Sequence, residues 1–92
     1  MTYPIFEYVK TGEKFTCIFH ALRMGWEWYG FKKYDYDNNI YEGFVMNIID
    51  TIDEFRLFDV REVLSVCDKR SVSLRPEDIS KVLPPIGFRR IM

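Results

Sequence analysis

Residues 40–60, IYEGFVMNIIDTIDEFRLFDV, carry the pattern that decides the fold class. Tyr41, Gly43 and Val45 occupy alternate positions before an acidic break, Asp50-Thr51-Ile52-Asp53-Glu54, and Phe55 and Leu57 do so after it. An extended chain turns successive side chains to opposite faces, so a period of two predicts two strands joined by a tight turn.

On the N-terminal side, residues 26–36 (WEWYGFKKYDY) are rich in aromatic side chains that suit a pleated surface, which predicts a strand to about Tyr36. Asp37-Asn38-Asn39 then supply residues that tolerate positive φ in a hairpin turn. On the C-terminal side, residues 55–66 are read as a strand, although Ile52, Phe55, Val63 and Leu64 also fit a helical period. Residues 71–74 alternate like a half-buried strand. Pro76 forces a turn, and residues 78–83 resume in extended form until Pro84-Pro85. Residues 87–91 suit either a last edge strand or a basic tail.

The first twenty-five residues admit two readings. Ile5 to Val9 and Phe15 to Phe19 flank Thr11-Gly12 as in a hairpin. Phe15, Ile18, Phe19 and Leu22 also fall at i, i+3, i+4 and i+7, and Gly25 could end a helix over 14–24.

Five short antiparallel strands between Trp26 and Leu83 predict a mainly β chain, most economically a small closed SH3-like barrel with an N-terminal helix as an option. Ninety-two residues make a single domain, with the barrel over about 26–85, an N-terminal element over 1–25 and a basic tail over 86–92.

A hydrophobic content of 48% and an aromatic content of 17% exclude a disordered chain, because enough apolar surface is present to offset ordering entropy. No run approaches the roughly 20 apolar residues of a membrane span. The first residues lack the basic and apolar regions of a secretion signal, so a cytoplasmic location is expected. Cys17 and Cys67 form no CxxC or Cys/His cluster, which predicts free thiols and no metal site. The net charge of −1 is unevenly spread. Asp35, Asp37, Glu42, Asp50, Asp53, Glu54, Asp59 and Glu62 outnumber Arg56 and Arg61 in the middle, whereas Lys69, Arg70, Arg75, Lys81, Arg89 and Arg90 dominate the end. One face of the molecule should therefore attract anions.

In this arrangement the chain resembles the Sm/LSm family of small β-barrels, ring-forming proteins that bind single-stranded RNA. Tyr41, Gly43, Val45, Asp50, Phe55, Leu57 and Asp59 follow the order of that family's first motif. Arg75-Pro76-Glu77-Asp78-Ile79-Ser80-Lys81-Val82 is similar to its second, Arg-Gly-x-x-Ile-x-x-Ile. Departures fall at Glu54, where the family has a base-contacting Asn, at Ile52 in its stacking position, and at Pro76 in place of Gly. A second register makes residues 25–30 lead to Asp35 and Asn39, with Tyr36 placed for stacking.

The resemblance implies a five-stranded Sm-like barrel in a homo-oligomeric ring of about five to seven subunits that binds RNA or single-stranded DNA in nucleic-acid processing. The residues it implies for binding are Arg75, Asp50, Asp53, Glu54 and Lys81, or Asp35, Tyr36 and Asn39 in the second register. No enzyme is expected: His20, the sole histidine, sits among apolar residues with no nucleophile-elbow serine near it. No cofactor is expected either, since Asp50, Asp53 and Glu54 lack the spacing of a calcium loop. Arg75 could equally pair with Glu77 or Asp78. A different reading makes the chain a protein-interaction or structural module on an SH3-like barrel, with aromatics of residues 26–36 and the acidic loop toward a protein partner.

Overall fold

The computed structural model describes residues 2–92. Strands β1 (Ile5–Tyr8), β2 (Glu13–Thr16), β3 (Phe19–Arg23), β4 (Trp26–Tyr34), β5 (Asp37–Asn47) and β6 (Ile52–Asp59) follow one another. Helix α1 (Val60–Val66), a 3-10 turn (Lys69–Ser71), strand β7 (Val72–Ser73), the short helix α2 (Pro76–Ile79) and strand β8 (Phe88–Arg90) complete the chain. They form two antiparallel sheets, of order β6-β5-β4-β3-β7 and β2-β1-β8.

Both sheets are open. The edges of the larger one, β6 and β7, do not pair with each other, so the closed five-stranded barrel expected from the sequence does not form. The Sm/LSm resemblance and the ring built on it fall with the barrel, while the mainly β content stands. The physical reason lies in two helix starts. Asp59 caps α1 by accepting the Arg61 N–H at 2.9 Å, with Glu62 in the first turn, which ends the strand expected over 55–66. Pro76 occupies the first turn of α2 behind Arg75, with Glu77 and Asp78 beside it, so the residues matched to the second Sm motif are a helix start. Only Val72–Ser73 is left as strand from the expected C-terminal half of a barrel.

The N-terminal helix is absent as well. Gly12, at φ +76°, closes the β1–β2 hairpin, and the Thr11 and Gly12 N–H groups donate to the Tyr8 carbonyl. Phe15 and Phe19, one apparent helical face, instead pack on opposite sides of the larger sheet. The β5–β6 hairpin forms as read, but its turn comes earlier, at residues 48–51. Asn47 Oδ1 accepts the Ile49 and Asp50 N–H groups at 2.9 and 3.1 Å, and Thr51 takes a positive φ of 54°. Asp53 and Glu54 consequently lie within β6. The β4–β5 turn likewise falls on Asp35 and Tyr36, ahead of Asp37.

The larger sheet is covered on both faces. One face carries Tyr29, Phe31, Phe44 and Met46, which pack with Phe6 and Phe88 of the smaller sheet and with Ile79 of α2. The other carries Ala21, Tyr41, Val45 and Phe58, packed with Val63 of α1 and flanked by Trp26 and Trp28. The aromatic faces of β4 thus serve the chain's own core. Cys17 is buried among these layers as a free thiol, and burial pushes its pKa up to about 12. No helix among the described residues is long and apolar enough to cross a membrane.

Gly30 and Gly43 face each other across β4 and β5, next to a β-bulge that leaves Phe31 opposite no partner. The Tyr41 ring lies over Gly30, where a Cβ would come within 2.4 Å of it. A Cβ on Gly43 would sit 1.9 Å from the Tyr29 carbonyl oxygen. Because that obstacle is backbone, relief requires the β4–β5 ladder to open. Gly43→Ala should lower the unfolding free energy by about 2 kcal/mol or more in urea titrations followed by tryptophan fluorescence.

Candidate functional site

A cleft lies beside the free edge of β2. Its geometry follows from the hydrogen-bond alternation of an antiparallel pair. The Cys17 N–H donates to the Pro4 carbonyl, so Phe15 and Glu13 turn their main-chain groups toward β1, whereas those of Lys14 and Thr16 point outward. Beyond this edge the larger sheet presents the cross-strand row Lys32, Glu42 and Leu57. The space between is an open cleft of about 650 Å³. Phe15, Phe31, Phe55 and Leu57 give it an apolar lining, and Lys14, Lys32, Glu42 and Arg56 are charged groups around it.

Phe15 stacks on Phe31 with ring centroids 4.7 Å apart and reaches Phe55 at 5.5 Å. This aromatic contact fixes the wall and the floor relative to each other. Phe55 and Leu57 remain 44% and 46% exposed, so the covering by the smaller sheet stops short of them. The chemistry offered is unpaired main-chain donors and acceptors along one side, with an apolar floor.

A second depression, of about 510 Å³, lies over β3 and β4 under residues 81–86. It contains His20, Glu27 and Tyr29, with Arg70 and Lys81 at its border. His20 Nε2 and Glu27 Oε2 are 2.9 Å apart, and the Tyr29 hydroxyl donates to the same oxygen at 2.8 Å and to the Leu83 carbonyl at 3.2 Å. The hydrogen bond from His20 holds the Glu27 carboxyl below the usual carboxylate range, against partial burial that acts the other way. Burial, reinforced by the Glu27 charge, pushes the Tyr29 hydroxyl up. His20 is therefore part of a polar network that ties the 81–86 segment to the sheet. Among the described residues, no three His, Cys, Asp or Glu side chains converge to hold a metal ion.

The residues implied by the Sm resemblance are scattered over separate elements. Arg75, ahead of α2, is ion-paired with Asp78 at 3.1 Å and Glu77 at 3.4 Å. Lys81 borders the second depression. Asp50 lies in the β5–β6 turn, while Asp53 and Glu54 are on β6, where Glu54 meets Arg56 at 3.4 Å. Of the second register, Asp35 and the exposed Tyr36 form the β4–β5 turn, and Asn39 donates its N–H and Nδ2 to Asp37 Oδ1. Sequence reasoning missed Lys14, Thr16, Phe15 and Phe31 as cleft residues, because nothing local marks which strand becomes an edge. The alternation of Phe55 and Leu57 was visible, but a closed barrel would have buried it.

No protein-family model matches the chain, and neither does any curated protein or solved structure.

The Glu27 shift has a pH consequence. A carboxyl whose folded pKa is depressed contributes stability that is present above its unfolded pKa, near 4.5, and is lost as pH falls through the folded value. Glu27→Gln should cost about 1 kcal/mol at neutral pH, and the gap from wild type should close on acidification below that range. Thermal melts across a pH series measure it.

Proposed function

We propose that this chain is a non-enzymatic protein-interaction module that receives an extended segment of a partner protein in the cleft beside β2. The observation that carries the reading is the coincidence of a free strand edge with an exposed apolar floor. A segment added antiparallel or parallel to β2 would hydrogen-bond to the outward groups of Lys14 and Thr16 and lie over Leu57 and Phe55. Every second side chain of such a strand points toward the floor. The occupant is accordingly an extended peptide with apolar residues at alternate positions. The charges around the cleft are of both signs, Lys14, Lys32 and Arg56 against Glu13 and Glu42, which suits a polypeptide better than a uniform polyanion.

Panning a phage library of random linear peptides on the full chain tests this. The expected result is a selected set with apolar residues two apart. Lys14→Pro removes an N–H that makes no bond within the fold and should weaken the selected peptides about tenfold, the value of one hydrogen bond of about 1.4 kcal/mol. A library that yields no such set, or peptides whose affinity is unchanged by Lys14→Pro, would refute the proposal.

A further inference from the structure

The eight-residue edge strand β6 carries information of its own. The Ile48 N–H donates to the Gly25 carbonyl, which sets the alternation along β5: Phe44 and Met46 turn their main-chain groups to β4, and Gly43, Val45 and Asn47 turn theirs to β6. In β6, therefore, Ile52, Glu54, Arg56 and Phe58 bond to β5, and the N–H and carbonyl groups of Asp53, Phe55 and Leu57 point outward with no strand beside them. Residues 52–57 all have exposed side chains, including Ile52, Phe55 and Leu57. An uncovered edge of this length with apolar side chains is a surface that asks for a partner strand.

The order of charges says which strand fits. In an antiparallel pair of identical strands, directly opposed residues share a face, so each register is defined by the residue on the two-fold axis. An axis at Arg56 opposes two guanidinium groups, and one at Glu54 or Asp53 opposes two carboxylates, each a destabilising arrangement. An axis at Leu57 sets Phe55 against Asp59 and Arg56 against Phe58. An axis at Phe55 sets Asp53 against Leu57, but it alone makes Glu54 meet Arg56 of the second copy twice and Ile52 meet Phe58 twice, while Phe55 meets itself. Phe55 is also one of the residues whose main-chain groups point outward, so the central pair makes two hydrogen bonds. The Glu54 and Arg56 positions then form the closer, non-hydrogen-bonded pair, where side chains interact most strongly.

We propose that two copies of this chain associate through β6, antiparallel about Phe55, and join their larger sheets into one continuous sheet. Within one chain Glu54 and Arg56 already lie 3.4 Å apart on one face with about half of each side chain exposed. The second copy brings its own pair alongside, so the four charges alternate in sign. The contact is isologous and closes at two chains, unlike the head-to-tail contacts of a ring. It leaves the β2 edge free and does not depend on the cleft reading.

Sedimentation equilibrium of the full chain in the micromolar range is the test. Wild type should sediment at twice the chain mass. Arg56→Glu opposes two carboxylates and Glu54→Arg opposes two guanidinium groups, so each alone should sediment at the chain mass, at least tenfold weaker in self-association. An equimolar mixture of the two variants restores every opposite pair and should sediment at twice the chain mass. Wild type at the chain mass, single variants that associate as well as wild type, or a mixture that stays at the chain mass would each overturn the proposal. If a variant does not fold, amide exchange on wild type decides: the Asp53, Phe55 and Leu57 amides should lose protection on dilution, and exchange independent of concentration overturns the proposal.

Discussion

The contact on which the structure depends is the set of aromatic rings around Phe88. This residue is buried, and its ring centroid lies 5.0 Å from Tyr8, 6.0 Å from Phe15, 5.9 Å from Phe31, 4.9 Å from Phe44 and 5.7 Å from Phe55. Tyr8 and Phe15 belong to the smaller sheet, and Phe31, Phe44 and Phe55 belong to three adjacent strands of the larger one. Edge-to-face and tilted contacts of this kind add roughly 0.5 to 1.5 kcal/mol per pair beyond area burial. Three residues of β8 thereby clamp one sheet to the other. The Glu7–Arg89 ion pair at 2.5 Å, on paired positions of β1 and β8, ties the strand down beside Phe88.

Because this clamp works face to face, the sheets do not need to close on themselves. The larger sheet buries one face under the smaller sheet and the other under α1, so its apolar surface is satisfied without a barrel. The cost of that solution is four free edges, of which β6, with eight residues, and β2, with four, are the longest. β7, at the far side of the larger sheet, has only two residues, and short strands are poor templates for another chain. β2 and β6 have no such protection. The proposed peptide cleft and the proposed pairing of two copies are both consequences of leaving those edges open.

The sequence made parts of this legible for physical reasons. The alternation in residues 40–60 located β5 and β6, and the aromatics of residues 26–34 located β4, since period-two burial is a local property. Gly12 marked its turn because a positive φ favours glycine. Both helix starts were written in the chain as well: Asp59 with Glu62 three residues on, and Pro76 followed by Glu77 and Asp78. Residues 55–66 alternate in part and Pro76 cannot donate to a ladder, so a period-two reading assigns a strand and a turn to the same residues. Phe88 was harder. A lone aromatic before two arginines has no local period, and its burial exists only once two sheets meet, so a tail and an edge strand were indistinguishable. The cleft was hidden for the same reason, since Lys14, Thr16, Phe15 and Phe31 become a site through the order of strands, a tertiary property.

The most direct measurement is a nuclear Overhauser spectrum with the phenylalanine rings assigned. The account predicts cross-peaks from the Phe88 ring to the rings of Phe44 in the larger sheet and Tyr8 in the smaller one, with Phe88 backbone contacts to Tyr8 across the β1–β8 pair. A Phe88 ring with no cross-peaks to Phe44, Phe31 or Phe55 would contradict it, because the two sheets would then have no common core.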